Sequence, residues 1–215
     1  LGHDTWEGES WKNRSGVNTW GFISVDPALG LVYLPIGSPS YDFYGGDRPG
    51  ANLFGNSIVA VQAETGKYLW HFQTVHHDLW DSDMPSPPVL LDITRGGQRV
   101  PALAQIGKTG WMFILNRVTG ESIFGVEERP VPAGDVPGEW YSPTQPFPLK
   151  PPALARVSFN EADMVRAEDT KALSTETQSV RQRQEAIRRS DELFSALLER
   201  VDLEPEVLGE GFGDF

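Results

Sequence analysis

Two segments of the sequence repeat one strand–turn–strand pattern, and this repeat restricts the fold more than any other feature. The first segment, residues 56–73, has apolar and β-branched residues before a Thr-Gly turn and carries Trp70 after it. The second segment, residues 110–128, has a Thr-Gly turn 54 positions later and carries Phe124 where the first has Trp70. Antiparallel strands that recur every 40 to 55 residues or so are typical of β-propeller blades. Two copies also fit a β-sandwich, so spacing alone leaves both architectures open.

Further short strands are predicted ahead of the repeat. Residues 19–26 (TWGFISVD) and 30–37 (GLVYLPIG) are rich in apolar and β-branched residues, and a turn from Pro27 to Gly30 joins them. The chain of 215 residues contains 22 Gly and 17 Pro, which suits a turn-rich globular protein. These features predict an all-β fold for the first part of the chain.

Charge and cysteine content exclude several classes of function. The formal net charge of −12 opposes binding to nucleic acid or to an anionic membrane surface. The absence of Cys excludes disulfides, thiolate metal sites and cysteine nucleophiles. The chain opens on Leu1 and has no charged segment followed by an apolar core, so no signal peptide is predicted. We expect the sequence to be a piece of a longer protein.

The composition of the chain changes between residues 150 and 165. All seven Trp precede residue 141, and all but one of the 17 Pro lie at or before Pro152. The later part is rich in Glu, Arg, Gln, Ala and Leu. We therefore divide the chain into a strand-rich part, residues 1–158, and a charged tail, residues 159–215.

The charged tail predicts an amphipathic helix. Thr175 and Gln178 have the spacing of a capping box at the start of a helix. Apolar residues then recur at helical spacing, namely Val180, Ile187, Phe194, Leu198 and Val201. A helix with one apolar stripe suits self-association or the binding of a partner protein.

Residues 75–85 (VHHDLWDSDMP) gather two His, three Asp and one Trp in eleven positions. Carboxylates this close repel one another unless a cation, a hydrogen-bond donor or water holds them. The segment has no His-x-x-x-His pair for zinc and no spacing of a known hydrolase. The residues alone leave two interpretations, a solvated acidic loop and part of a functional site.

Several long motifs decide between these interpretations. NTWGFISVD, GKYLWHFQTVHHDLWD, GKTGWMFILNRVTG, VEERPVP and PTQPFPLKPP occur in this order within residues 1–158. They resemble the pyrroloquinoline-quinone (PQQ)-dependent dehydrogenases, in the branch of the membrane-type quinoprotein glucose dehydrogenases. The resemblance implies part of an eight-bladed β-propeller, about three blades from its middle, whose tryptophan-docked sheets hold PQQ and usually Ca²⁺. Trp70 corresponds to a blade-docking tryptophan.

The resemblance also implies roles for five residues. Asp81 corresponds to the catalytic carboxylate, the general base that takes the hydroxyl proton of the substrate while hydride passes to PQQ. Lys108 corresponds to the basic residue that binds the quinone oxygens. Trp20 corresponds to the indole on which PQQ stacks. Ser38 and Ser40 lie where the family lines the cofactor and metal pocket, although relatives with a firm metal ligand in this loop have Asn there. The metal ligands themselves are left unassigned.

The sequence therefore predicts a fragment of a quinoprotein that oxidises a sugar or an alcohol and passes electrons to a quinone or a cytochrome. The family implies a periplasmic location. Asp78 and Asp83 are expected to cap turns or to orient His76 and His77. Two alternatives remain, a propeller scaffold without catalysis and an interaction module that uses the C-terminal helix.

Deleting residues 165–215 tests the interaction module. If the apolar stripe of the predicted helix mediates self-association, the truncated chain will be monomeric where the full chain is oligomeric. Analytical ultracentrifugation at matched concentrations measures this. An identical oligomeric state for both chains contradicts the prediction.

Overall fold

A computed structural model describes residues 1–158, and these residues form short strands in antiparallel sheets. Two 3₁₀ helices, His3–Thr5 and Glu7–Asn13, come first. The strands of the described part are β1 (Ser24–Asp26), β2 (Leu31–Pro35), β3 (Ser57–Gln62), β4 (Tyr68–Gln73), β5 (Val89–Arg95), β6 (Gln98–Ile106), β7 (Met112–Asn116), β8 (Val126–Pro130) and β9 (Thr144–Pro148). The predicted helix after Thr175 lies outside the described residues. Within residues 1–158, no helix is long and apolar enough to cross a membrane.

The first sheet is a four-stranded meander in the order β1-β2-β3-β4. Every neighbouring pair is antiparallel, with Tyr33 of β2 opposite Ala60 of β3 and Ala60 opposite Trp70 of β4. Gly66 provides the turn from β3 to β4 at a φ of +69°, and its N–H donates to the carbonyl of Gln62. The strands predicted at 30–37 and within 56–73 are confirmed.

The second sheet has three strands in the order β5-β6-β7. Gly96 and Gly97 join β5 to β6 at positive φ, as a two-residue hairpin turn requires. This Gly-Gly pair between apolar runs is a hairpin signal that the sequence analysis missed. Strands β8 and β9 form a third, two-stranded sheet. The number of blades in a complete propeller stays a prediction.

Two predicted strands are wrong in extent. Only Ser24–Asp26 of residues 19–26 forms a strand, because the chain before it leaves the sheet and Gly21 packs against the carbonyl of Pro85. The strand predicted after the second Thr-Gly turn is reduced to one bridge, between Leu115 and Ser122. From Val126 onward the chain instead pairs with β9, so the second repeat does not copy the first.

The indole of Trp70 packs between the first two sheets. It is buried, and it lies 5.9 Å from the ring of Tyr33 between ring centroids. A Cβ atom at Gly120, in the turn after β7, would come within 2.6 Å of the indole. Trp70 therefore docks one sheet on the turn of the next, and only Gly leaves room for it.

Arg117, at the end of β7, joins β1 to β5 by charge. Its Nε donates to Asp26 of β1 at 2.8 Å, and one terminal nitrogen donates to Asp92 of β5 at 2.8 Å. Its carbonyl accepts a hydrogen bond from the hydroxyl of Tyr33. All three charged side chains are largely buried, with exposures of 14%, 7% and 17% for Arg117, Asp26 and Asp92. Arg117 thus ties the two sheets together at this end.

Replacing Arg117 with Met should lower the free energy of unfolding by about 3 to 5 kcal/mol, because buried Asp26 loses its cation and Asp92 keeps only the exposed Arg99. Urea unfolding followed by Trp fluorescence measures the change. The matched control is Arg99→Met, whose exposed side chain also pairs with Asp92 and should contribute less than about 1 kcal/mol. Equal losses in the two variants would contradict this difference.

The same ion pairs make stability depend on pH. Burial alone would raise the pKa of Asp26 and of Asp92, but hydrogen bonds from Leu29, Arg99 and Arg117 outweigh it and hold both pKa values below the usual 3.8. The contribution to stability is therefore present above pH 3.8 and is lost as pH falls through the lowered values. We expect Arg117→Met to be farthest below the parent chain near neutral pH and to approach it in acid.

Candidate active site

The loop between β4 and β5 carries the acidic cluster. Thr74 closes β4, donating from its N–H and its hydroxyl to the carbonyl of Asn56. His77 and Asp81 then adopt φ values of +47° and +54°, a left-handed conformation that residues other than Gly rarely take. The loop therefore leaves the extended conformation on both sides of Asp78.

Lys108 holds the two carboxylates at the end of this loop. It follows β6, and its backbone N–H donates to the carbonyl of Asp83. Its Nζ lies 2.6 Å from Oδ2 of Asp81 and 2.8 Å from Oδ2 of Asp83. Asp81 and Asp83 can lie this close because the ammonium is shared between them. Asp83 is therefore an ion-pair partner of Lys108, and its described contacts include neither a turn that it caps nor a His that it orients.

Environment separates the pKa values of the two carboxylates. Burial raises the pKa of Asp81 above its usual value, and the adjacent Asp83 adds to the rise. Burial also acts on Asp83, but hydrogen bonds from Lys108 and from the N–H of Ser38 outweigh it and lower its pKa to about 2. The two carboxylates raise the pKa of Lys108 against the effect of burial. Of the two carboxylates, Asp81 is thus the one that takes a proton first as pH falls.

Trp20 lies beside this ion pair. Its side chain is 54% exposed, and Nζ of Lys108 is 5.8 Å from the ring centroid. This distance is within the range of a cation–π interaction. Gly37 touches the same indole, since a Cβ there would come within 2.8 Å of both Nε1 of Trp20 and Oδ1 of Asp83. The structure thus brings Asp81, Lys108 and Trp20 together, although they lie far apart in sequence.

Ser38 and Ser40 take different positions. Ser38 is buried, donating from its N–H to Asp83 at 2.7 Å and from its hydroxyl to Asp78 at 2.5 Å. The hydroxyl of Ser40 instead accepts from the N–H of Ser15 at 3.1 Å. Ser38 therefore binds Asp78 and Asp83 from the protein interior. Ser40 makes no described hydrogen bond to either of them. Their contacts with a cofactor stay predictions.

A buried polar layer under the site was not predicted from sequence. Asp78 accepts hydrogen bonds from Asn56, Ser38 and two backbone N–H groups, while Arg48 donates to its carbonyl at 2.6 Å. Arg48 and Asp78 are almost entirely buried. Asp78 does cap a turn, as expected, but the described contacts of His76 and His77 do not include it. A long-range network of this kind leaves no local pattern in the sequence.

A cavity of about 270 Å³ opens beside the loop. The residues directly before Asp81 line it, together with aromatic and amide side chains that include Trp111, Tyr141 and Gln145. Aromatic surface with a few polar groups is typical of sites for small organic molecules. Within residues 1–158, no group of three or more His, Asp or Glu side chains is arranged to hold a metal ion.

Comparisons with known proteins find similarity to one family of dehydrogenases. The family model described as glucose/ethanol/alcohol dehydrogenase, β-propeller domain, with PQQ, matches residues 2–201. The match runs past residue 158, so the division of the chain at that point stays a prediction. The quinoprotein glucose dehydrogenase of Escherichia coli (strain K12) is 47% identical over 131 residues, which are 60% of this chain and 16% of that protein.

Two further relatives have other substrates in their names. The glycerol dehydrogenase large subunit of Gluconobacter oxydans (strain 621H) is 42% identical over 165 residues, which are 75% of this chain and 22% of that protein. The solved quinohemoprotein alcohol dehydrogenase of Pseudomonas putida HK5 superposes with a TM-score of 0.53 at 34% identity. That superposition covers 57% of this chain and 18% of the other. The chain thus spans roughly a fifth of the length of these relatives.

Replacing Lys108 with Met tests the shared ammonium. Without the cation, we expect the pKa of Asp83 to rise from about 2 to above 3.8, because the two carboxylates then repel each other directly. The ¹³Cγ shifts of labelled Asp, followed by NMR from pH 2 to 8 or so, measure this. The control is Lys67→Met at an exposed turn lysine, which should leave the Asp83 titration unchanged. A low Asp83 pKa in Lys108→Met would show that another group sets it.

Proposed function

Because the chain belongs to the PQQ-binding β-propeller family of glucose, ethanol and alcohol dehydrogenases, we propose that it forms part of a quinoprotein dehydrogenase and carries the catalytic base of that enzyme. The observation that carries the proposal is the ion pair of Lys108 with Asp81 and Asp83 beside the exposed ring of Trp20. This arrangement combines a proton acceptor, a cation and an aromatic surface at one place.

The residues at this place fit a flat, anionic cofactor such as PQQ. Half-exposed indole surface at Trp20 suits stacking against a conjugated ring. Lys108 has three N–H donors and uses two of them on Asp81 and Asp83, which leaves one for an oxygen of a ligand. Gly37 leaves room for the indole in this position, because a side chain there would strike Trp20.

Asp81 is the proposed general base. Oxidation of an alcohol to a carbonyl removes a proton from the hydroxyl oxygen and a hydride from the carbon. Asp81 takes the proton, and its raised pKa makes it a stronger base than an exposed carboxylate. Trp20 and Lys108 would hold PQQ here, and the cofactor would supply the two-electron acceptor for this hydride. Lys108 then opposes the negative charge that develops nearby, as a preorganised cation does.

Asp83 provides Lys108 with a carboxylate that stays ionised. Its low pKa leaves it ionised across the working pH range, so Lys108 always has one fixed partner. Asp81 can then gain and lose a proton without releasing the ammonium. In this proposal Asp83 stays ionised as the partner of Lys108, and Asp81 is the carboxylate that exchanges a proton with the substrate.

The proposal of Ca²⁺ rests on the family resemblance. Asp81 and Asp83 are already bound to Lys108, and residues 1–158 contain no cluster of His, Asp and Glu arranged for a metal. The described residues do not by themselves fit a Ca²⁺ ion, and no step proposed above uses one. A Ca²⁺ site would need ligands from beyond these residues.

We further propose that the substrate is a sugar or another alcohol, that a quinone or a cytochrome accepts the electrons, and that the protein works in the periplasm. The names of the relatives support the substrate class, and family resemblance alone supports the acceptor and the location. The presence of both Asp81 and Lys108 favours this proposal over a propeller scaffold without catalysis.

A PQQ titration of the purified chain tests the proposal. We expect weak but saturable binding, because the chain spans roughly a fifth of its relatives, and little turnover by the chain alone. Equilibrium dialysis and quenching of Trp fluorescence measure the binding. Trp20→Ala should abolish it, while the control Trp11→Ala should not, since Trp11 stacks on His3 instead. Equal binding by parent and Trp20→Ala, or none by the parent, would contradict a PQQ site at Trp20.

A further inference from the structure

Asp78 makes more hydrogen bonds than any other carboxylate in the described part of the chain. Its Oδ2 accepts from the N–H of Ser82 at 2.6 Å, from the hydroxyl of Ser38 at 2.5 Å and from the amide of Asn56 at 3.0 Å. Its Oδ1 accepts from the N–H of Trp80 at 3.0 Å. A carboxylate has about four such acceptor positions, so this one is satisfied.

Two of these donors flank Asp81 in sequence. The N–H groups of Trp80 and Ser82 both point at the carboxylate of Asp78, although Asp81 stands between them. Its φ of +54° lies in the left-handed region, which costs energy for any residue with a side chain. Such a conformation persists only where the surroundings hold it. We propose that Asp78 is a positioning residue that holds Asp81 in this conformation by binding the backbone on both of its sides.

Asp78 can do this because it is itself anchored. Its carbonyl accepts from Arg48 at 2.6 Å, and another nitrogen of Arg48 donates to Asn52 at 2.6 Å. Arg48 is fully buried, and Asp78 is 2% exposed. The charged groups that face the two acids are therefore Arg48 at Asp78, and Lys108 and Asp83 at Asp81. The anchor lies in the interior, and the residue that it positions lies at the surface.

The consequence is a fixed direction for the Asp81 side chain. Asp81 is about one-third exposed and would otherwise rotate into water, but the held backbone keeps its Oδ2 at 2.6 Å from Nζ of Lys108. The catalytic meaning of this placement rests on the proposed function, in which Asp81 is the base. The placement itself is a property of the chain without cofactor.

Two substitutions separate the shape of Asp78 from its charge. Asp78→Asn keeps the shape of the side chain and loses its charge. It also leaves one acceptor oxygen, whereas the four donors to Asp78 bind two. Asp78→Glu keeps the charge and moves the carboxylate by one methylene. We expect both variants to speed hydrogen exchange at the amides of Trp80 and Ser82 by roughly tenfold or more. We also expect the Asp81 pKa to fall toward its usual 3.8.

Both quantities are measured by NMR on the full chain without PQQ, through amide exchange and through the ¹³Cγ shift of Asp81 with pH. The control is Asp26→Asn, another buried carboxylate, whose partners are Ala28, Leu29 and Arg117. It should leave exchange at Trp80 and Ser82 and the Asp81 titration unchanged. A shift of the titration in Asp78→Asn alone, with exchange unchanged in both variants, means a charge effect and overturns the proposal.

If neither variant folds, as judged by near-ultraviolet circular dichroism, Ser38→Ala gives the test, since it removes one of the four hydrogen bonds to Asp78. Several-fold faster exchange at Ser82 supports the proposal, and exchange at the parent rate overturns it. The PQQ titration and the exchange measurements test two different proposals. A parent chain that does not bind PQQ removes the proposed function, whereas the positioning of Asp81 is decided in the cofactor-free chain.

Discussion

The packing of Trp70 on Gly120 is the contact on which the arrangement of the two larger sheets depends. Trp70 lies within β4, the edge strand of the first sheet, and Gly120 lies in the turn after the second sheet's last strand. Because a side chain at Gly120 would strike the indole at 2.6 Å, the contact admits Gly alone. It fixes one sheet against the other, so the loop after β4 meets the loop after β6. That meeting puts Asp81 and Asp83 within reach of Lys108.

In two places of the described chain one basic side chain is shared by two carboxylates, and the two basic side chains differ in their exposure to solvent. Arg117 is shared by Asp26 and Asp92, and Lys108 is shared by Asp81 and Asp83. Arg117 is 14% exposed and its carboxylates are both held at low pKa, so that pair stabilises the fold. Lys108 is 41% exposed, and only one of its carboxylates has a lowered pKa. Access to solvent and the divergence of the two pKa values make the second arrangement suited to proton transfer.

Support for the exposed site comes from buried polar groups rather than from apolar packing. Arg48 and Asp78 are inside the protein, Asp83 is nearly so, and Asp81 and Trp20 reach solvent. Each layer binds the next through directed hydrogen bonds, which fix orientation better than apolar contacts do. The proposed base can therefore be accessible and still held in one direction.

Local sequence determined the strands β2, β3 and β4, because runs of apolar and β-branched residues and the Thr65-Gly66 turn act over a few positions. The Gly-Gly hairpin between β5 and β6 was also readable and was missed. Motif resemblance identified Asp81, Lys108 and Trp20, but tertiary structure decided that they meet, and that Asp78, Asn56 and Arg48 lie beneath them. It also decided where residues 19–23 leave the first sheet and where the chain after Ser122 changes partner. These outcomes depend on contacts between segments far apart in the chain, and local propensity carries no information about such contacts.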